Sequence, residues 1–80
     1  MYFIRSENGG PIKIGYSRDP EGRCDQLQTG HPYRLRVIAR LPGDRALEHQ
    51  LHVRFSTIRL CNEWFDSSPE LLTFVQEIQQ

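Results

Sequence analysis

Two short runs with a two-residue period, Met1 to Arg5 (MYFIR) and Pro11 to Tyr16 (PIKIGY), flank the turn-forming stretch Glu7-Asn8-Gly9-Gly10. Strand side chains point alternately to opposite faces, and Asn and Gly tolerate positive φ, so this arrangement specifies a β-hairpin at the start of the chain. Along the second run Ile12, Ile14 and Tyr16 fall on one face, while Lys13 and Gly15 fall on the other. The first face is suited to a core and the second to meeting a ligand.

The remaining segments read in order. Asp19, Pro20 and Glu21 have the chemistry of an N-cap, a first-turn proline and a first-turn acid, and Gly30 is a C-terminal stop, which predicts a helix from about Pro20 to Gln28. From Tyr33 to Leu41 alternation returns, with Arg34, Arg36 and Arg40 together on one side, so a third strand carrying an arginine row is expected. After Pro42-Gly43 and a capping Asp44, Leu47, Leu51, Phe55 and Ile58 recur at helical spacing. Asn62 to Phe65 reads as a brief extended piece, and Ser68-Pro69-Glu70 opens a last helix with Leu71, Leu72, Val75 and Ile78 facing inward. The expected fold class is therefore α+β, ββαβαα, with a small three-stranded, mostly antiparallel sheet flanked by helices. Eighty residues enclose one core, so residues 1–80 are expected to form a single domain.

Charge narrows the function classes. Ten Lys and Arg cancel ten Asp and Glu, so no global positive field exists to hold a polyanion, and any nucleic acid must be met locally. Every cation but Lys13 is arginine, a residue suited to bidentate phosphate or carboxylate contacts. Cys24 and Cys61 are too few to staple a scaffold, and Arg5 and Glu7 interrupt the apolar start before any secretory core forms. An intracellular, cytoplasmic setting is expected. No membrane association is expected either, since no apolar run approaches the roughly 20 residues that cross a bilayer.

Several side chains could carry chemistry. Hydrolysis at phosphate with a hard cation needs a carboxylate, and Glu48, beside the helical stripe, is the metal-ligand candidate. His52 lies one turn on. Such i,i+4 pairs are also common on solvated helix faces. Arg23, on the first helix, can project toward the hairpin or pair with Asp19 or Glu21. Lys13 has Gly15 beside it on the same strand face, where the lack of a side chain lets a phosphate come close. The cysteines and histidines lack the spacings of zinc sites, and Cys24 reads as a packing residue. Trp64 and Phe65 could stack a base, but large rings in so short a segment fit the end of a small core better.

Taken in order, these residues resemble the GIY-YIG nuclease superfamily, in particular its compact phage-type branch. Tyr2 stands where the first motif's tyrosine stands, and Ile12-Lys13-Ile14-Gly15 with Tyr16-Ser17 looks like the second motif. Arg23 follows, then Leu27-Gln28-Thr29-Gly30, then Glu48 to Phe55 as E-x-x-L-H-x-x-F, and Glu63-Trp64-Phe65. The resemblance implies a divalent-metal-dependent endonuclease that hydrolyses DNA phosphodiesters with Mg2+ or Mn2+ held at Glu48. It implies a catalytic set of Tyr2, Lys13, Arg23, Glu48 and His52, with Gly15, Tyr16, Arg34 and Arg36 on the substrate side. Lys13 stands where many relatives have a second tyrosine, and His52 or Tyr16 is an alternative proton acceptor. Asn62 sits near the position of an asparagine found in relatives. The other reading is a GIY-YIG-fold module, catalytically weak or inactive, that binds nucleic acid or a protein partner through its arginines. Cutting both strands with one such site would take a homodimer or two successive binding events.

Overall fold

The computed structural model describes residues 1–79. The expected hairpin forms, with β1 (Tyr2–Ser6) antiparallel to β2 (Gly9–Gly15) and Tyr2 opposite Gly15. Helix α1 (Pro20–Gln28) starts at Asp19, whose carboxylate accepts from the Gly22 amide, with Pro20 in the first turn. Strand β3 (Leu35–Arg40) pairs with the outer side of β1. Helix α2 (Arg45–Arg54) is capped by Asp44, which accepts from the Ala46 and Leu47 amides. A single 3-10 turn over Ser56–Ile58 leads into β4 (Arg59–Cys61) and β5 (Trp64–Phe65), and α3 (Pro69–Gln79) closes the chain.

The sheet has five strands, in the order β3-β1-β2-β5-β4, and not the three expected from sequence. The two additional strands are only three and two residues long, and Arg59, Leu60 and Cys61 are all exposed. Neither strand therefore carries the alternation that reveals a half-buried strand. The stripe ending at Ile58 is likewise split: α2 stops at Arg54, with Phe55 as its C-cap, and Ile58 packs from the 3-10 turn.

Alternate residues of β1 feed two cores. Phe3 joins Ile12, Ile14, Ala39, Phe55, Phe65, Leu71 and Val75 in the larger one, covered by α2 and α3. Tyr2 and Ile4 join Cys24 of α1 and Leu35 in the smaller. A bulge on β3 places Ala39 opposite Phe3 but Val37 opposite Ile4, leaving Ile38 as the extra residue. This one-residue slip breaks up the expected arginine row, because side chains beyond a bulge exchange faces. Arg36 instead pairs with Glu7 at 3.6 Å, and Arg40 pairs with Glu21 of α1. Among the described residues no helix is long and apolar enough to cross a membrane.

Candidate functional site

The end of β2 is where α1 and α2 approach the hairpin from the two layers, and candidate residues gather there. Tyr2 is buried, with the Arg23 guanidinium of α1 near its hydroxyl. Opposite it, Gly15 gives room for that hydroxyl: a Cβ at Gly15 would lie 2.4 Å from the Tyr2 hydroxyl oxygen and 2.8 Å from a Glu63 carboxylate oxygen. The close approach of these two side chains to bare backbone explains the glycine.

Helix α2 supplies Glu48 and His52 from successive turns of one face. Ligand atoms of Glu48, His52 and Glu63 all lie within 4.8 Å of one another. His52 Nε2 stands 2.9 Å from the Ile14 carbonyl oxygen, and its ring packs on Phe65 with centroids 5.2 Å apart. A carbonyl can only accept, so Nε2 is the donor in this contact, and Nδ1 is the nitrogen left to offer a lone pair. Orienting a ligand histidine through its other nitrogen is how metal sites fix the imidazole.

Lys13 is the buried charged residue of the sheet, 6% exposed. A buried ammonium needs compensation, and here Glu63 lies 3.8 Å from Nζ while the Trp64 ring centroid lies 5.6 Å away. Glu63 thus faces both the lysine and the Glu48–His52 pair. Sequence reasoning places this residue within Glu63-Trp64-Phe65 without giving it a role. The missing signal is the two-residue turn: Cys61 pairs with Trp64, so Asn62 and Glu63 form its tip, and Asn62 adopts φ +49°. Asparagine tolerates that left-handed conformation better than most residues. The Asn62 carbonyl also accepts from Arg59 Nε at 2.6 Å, so Asn62 shapes the turn that presents Glu63.

Other sequence candidates lie elsewhere. Tyr16 packs against the larger core beneath the Arg45 guanidinium, 5.4 Å from its ring centroid. Arg34 is exposed beside Cys24, and Arg36 is held by Glu7. Phe65 is fully buried, as a core plug should be, whereas Trp64 is half-buried against the smaller cluster. Burial and the neighbouring Asp25 raise the Cys24 pKa, so its thiol stays protonated.

The Tyr2 hydroxyl is likewise held protonated. Burial raises its pKa above 10.0, the Glu63 and Glu48 charges add to the rise, and Arg23 opposes it. The folded protein therefore keeps a proton that the unfolded chain releases first, and stability falls as pH rises beyond about 10. Wild type is expected to lose denaturant stability more steeply above that pH than Tyr2→Phe. Parallel slopes for the two proteins would show that Tyr2 does not titrate with unfolding.

Comparison with known protein families adds a relationship to this geometry. The T5orf172 domain model matches residues 1–79. No curated protein and no solved structure matches the chain.

Proposed function

The chain belongs to the T5orf172 domain family, and from that premise we propose that it is a GIY-YIG-type, divalent-metal-dependent endonuclease hydrolysing DNA phosphodiester bonds. The observation that supports this reading is the convergence of Glu48, His52 and Glu63 within 4.8 Å, beside Tyr2, Arg23 and Lys13.

Two carboxylate oxygens and one imidazole nitrogen suit Mg2+ or Mn2+, and the nitrogen donor favours Mn2+ of the two. When bound, such a cation polarises the scissile phosphate and stabilises the leaving oxygen. The protein's own residues supply the rest. Arg23 offers a guanidinium that neutralises charge growing on the phosphoryl oxygens. The protonated Tyr2 hydroxyl, beside Arg23, orients the attacking water by hydrogen bonding. Lys13 contributes fixed positive charge to the phosphate and is already aimed by its burial, so little side-chain freedom is lost on binding. With Nε2 committed to Ile14, His52 has one lone pair, and it serves either the cation or a proton.

Supercoiled plasmid incubated with the purified chain is expected to be nicked in Mn2+ or Mg2+, to stay intact in EDTA, and to be nicked again when excess Mn2+ is restored. Plasmid left supercoiled in both ions would overturn the reading.

A further inference from the structure

A groove of about 520 Å³ runs away from the candidate centre, between the hairpin turn, the segment around Tyr33 and β4. Its lining includes His31, Tyr33, Leu60 and Trp64 over the bare backbone of Gly9 and Gly10, and among the described residues no Asp, Glu, Lys or Arg contributes to it. Tyr33 and Leu60, 55% and 56% exposed, come from segments far apart in sequence yet present their apolar surface to the same space. Isolated exposed apolar side chains need no explanation, but several converging on one concave surface mark a binding site.

Charge and position select the occupant. The groove is uncharged and rich in aromatic rings, whereas immediately beside it Lys13 lies opposite Trp64 in the sheet and 3.8 Å from Glu63. A nucleotide divides its chemistry in the same way, into an anionic phosphate and a neutral, flat base. A base inside a duplex is stacked and paired, so it cannot enter such a groove unless it leaves the helix. We infer that the groove receives an unpaired nucleobase, stacked among Trp64, Tyr33 and His31, from the DNA strand whose phosphate meets Lys13 and the centre. The inference rests on the nuclease reading and names its substrate class: DNA with a single-stranded or unpaired segment at the cut. Cleavage of fully paired plasmid would then proceed through a transiently unpaired base.

Trp64, the chain's single tryptophan, reports on the groove directly. The full chain in EDTA, where nothing is cut, is titrated with a ten-nucleotide oligothymidylate and with a blunt duplex of equal length, followed by Trp64 emission and by anisotropy of labelled DNA. Single strand is expected to quench Trp64 saturably. Tyr33→Ala is expected to weaken single-strand binding roughly tenfold, the loss of one stacking platform, and to leave duplex binding within about twofold. Circular dichroism verifies that this exposed substitution leaves the fold intact. Equal loss for both DNAs, or no loss for either, would overturn the inference. So would a concentration-dependent dimer that Tyr33→Ala dissolves, because the groove would then be covered by a second copy. Nicking in Mn2+ without the single-strand effect removes the groove assignment alone, whereas the single-strand effect without nicking supports the groove and removes the nuclease reading.

Discussion

Glutamine in place of Glu48 is expected to slow DNA cleavage at least a hundredfold while leaving the metal-free protein as stable as wild type or slightly more so. The two effects have one cause. Ligand atoms of Glu48 and Glu63 converge within 4.8 Å, and Lys13 stands 3.8 Å from Glu63 as the partner of opposite charge. Without a cation the two carboxylates repel, so the neutral isostere relieves strain in the unliganded fold. With a cation the same change removes a negative donor from a site of three. Loss of an outer-sphere partner alone typically costs about 10–100-fold in affinity or activity, and a direct donor should cost at least the upper end of that range. Single-turnover nicking of plasmid in saturating Mn2+ measures the first effect. Thermal unfolding with and without Mn2+ measures the second, since a ligand bound to the native state raises its stability in proportion to the logarithm of its concentration. Wild type should gain thermal stability from Mn2+, and Glu48→Gln should gain much less. A variant that cuts at wild-type rate, or that gains as much from Mn2+, would remove Glu48 from the centre.

Much of the architecture is legible because it is written in local chemistry. Asp19 and Asp44 cap their helices through side-chain acceptors, Pro20 starts one of them, and the hairpin follows from alternation around Asn8-Gly9-Gly10. Tyr2, Gly15 and Arg23 are separated in sequence but adjacent in the structure, and the family resemblance selects them where spacing alone does not. What stays hidden depends on pairing between distant segments. Strands β4 and β5 are too short and too exposed to show a period, so periodicity alone yields a sheet of three strands. With β5 unassigned beside β2, nothing brings Glu63 next to Lys13 or places it with Glu48. The arginine row fails for a related reason. A bulge adds one residue without leaving a compositional mark, and a period-two count carried through it assigns everything beyond to the wrong face. Arg36 beside Glu7 on one side of the bulge and Arg40 beside Glu21 of α1 on the other are the outcome.

Gly15→Ala should damage the centre more than its size suggests, and comparison with Gly30→Ala isolates the reason. Gly30 adopts φ +78° with nothing within 4 Å of where an added methyl would sit, so alanine there strains the backbone by about 1–2 kcal/mol and touches no other group. Gly15 needs no such φ; its constraint is space. An added Cβ would lie 2.4 Å from the Tyr2 hydroxyl oxygen, at the end of a ring that is 1% exposed and cannot swing aside, and 2.8 Å from Glu63. The methyl must displace the phenol, the carboxylate or the end of β2, and overpacking of this kind costs about 1–3 kcal/mol. Each displacement also moves a group proposed to act on the phosphate: the Tyr2 hydroxyl leaves Arg23, or Glu63 leaves Lys13 and the Glu48–His52 pair. Misplacement by about 1 Å can cost roughly a hundredfold in rate, so Gly15→Ala is expected to lose on that order of nicking activity at temperatures where it remains folded. Gly30→Ala, comparably destabilised, should cut at the wild-type rate under the same conditions. Equal activity in the two variants, once both are shown folded, would mean that the Tyr2–Gly15–Glu63 contact supports the sheet and has no part in hydrolysis.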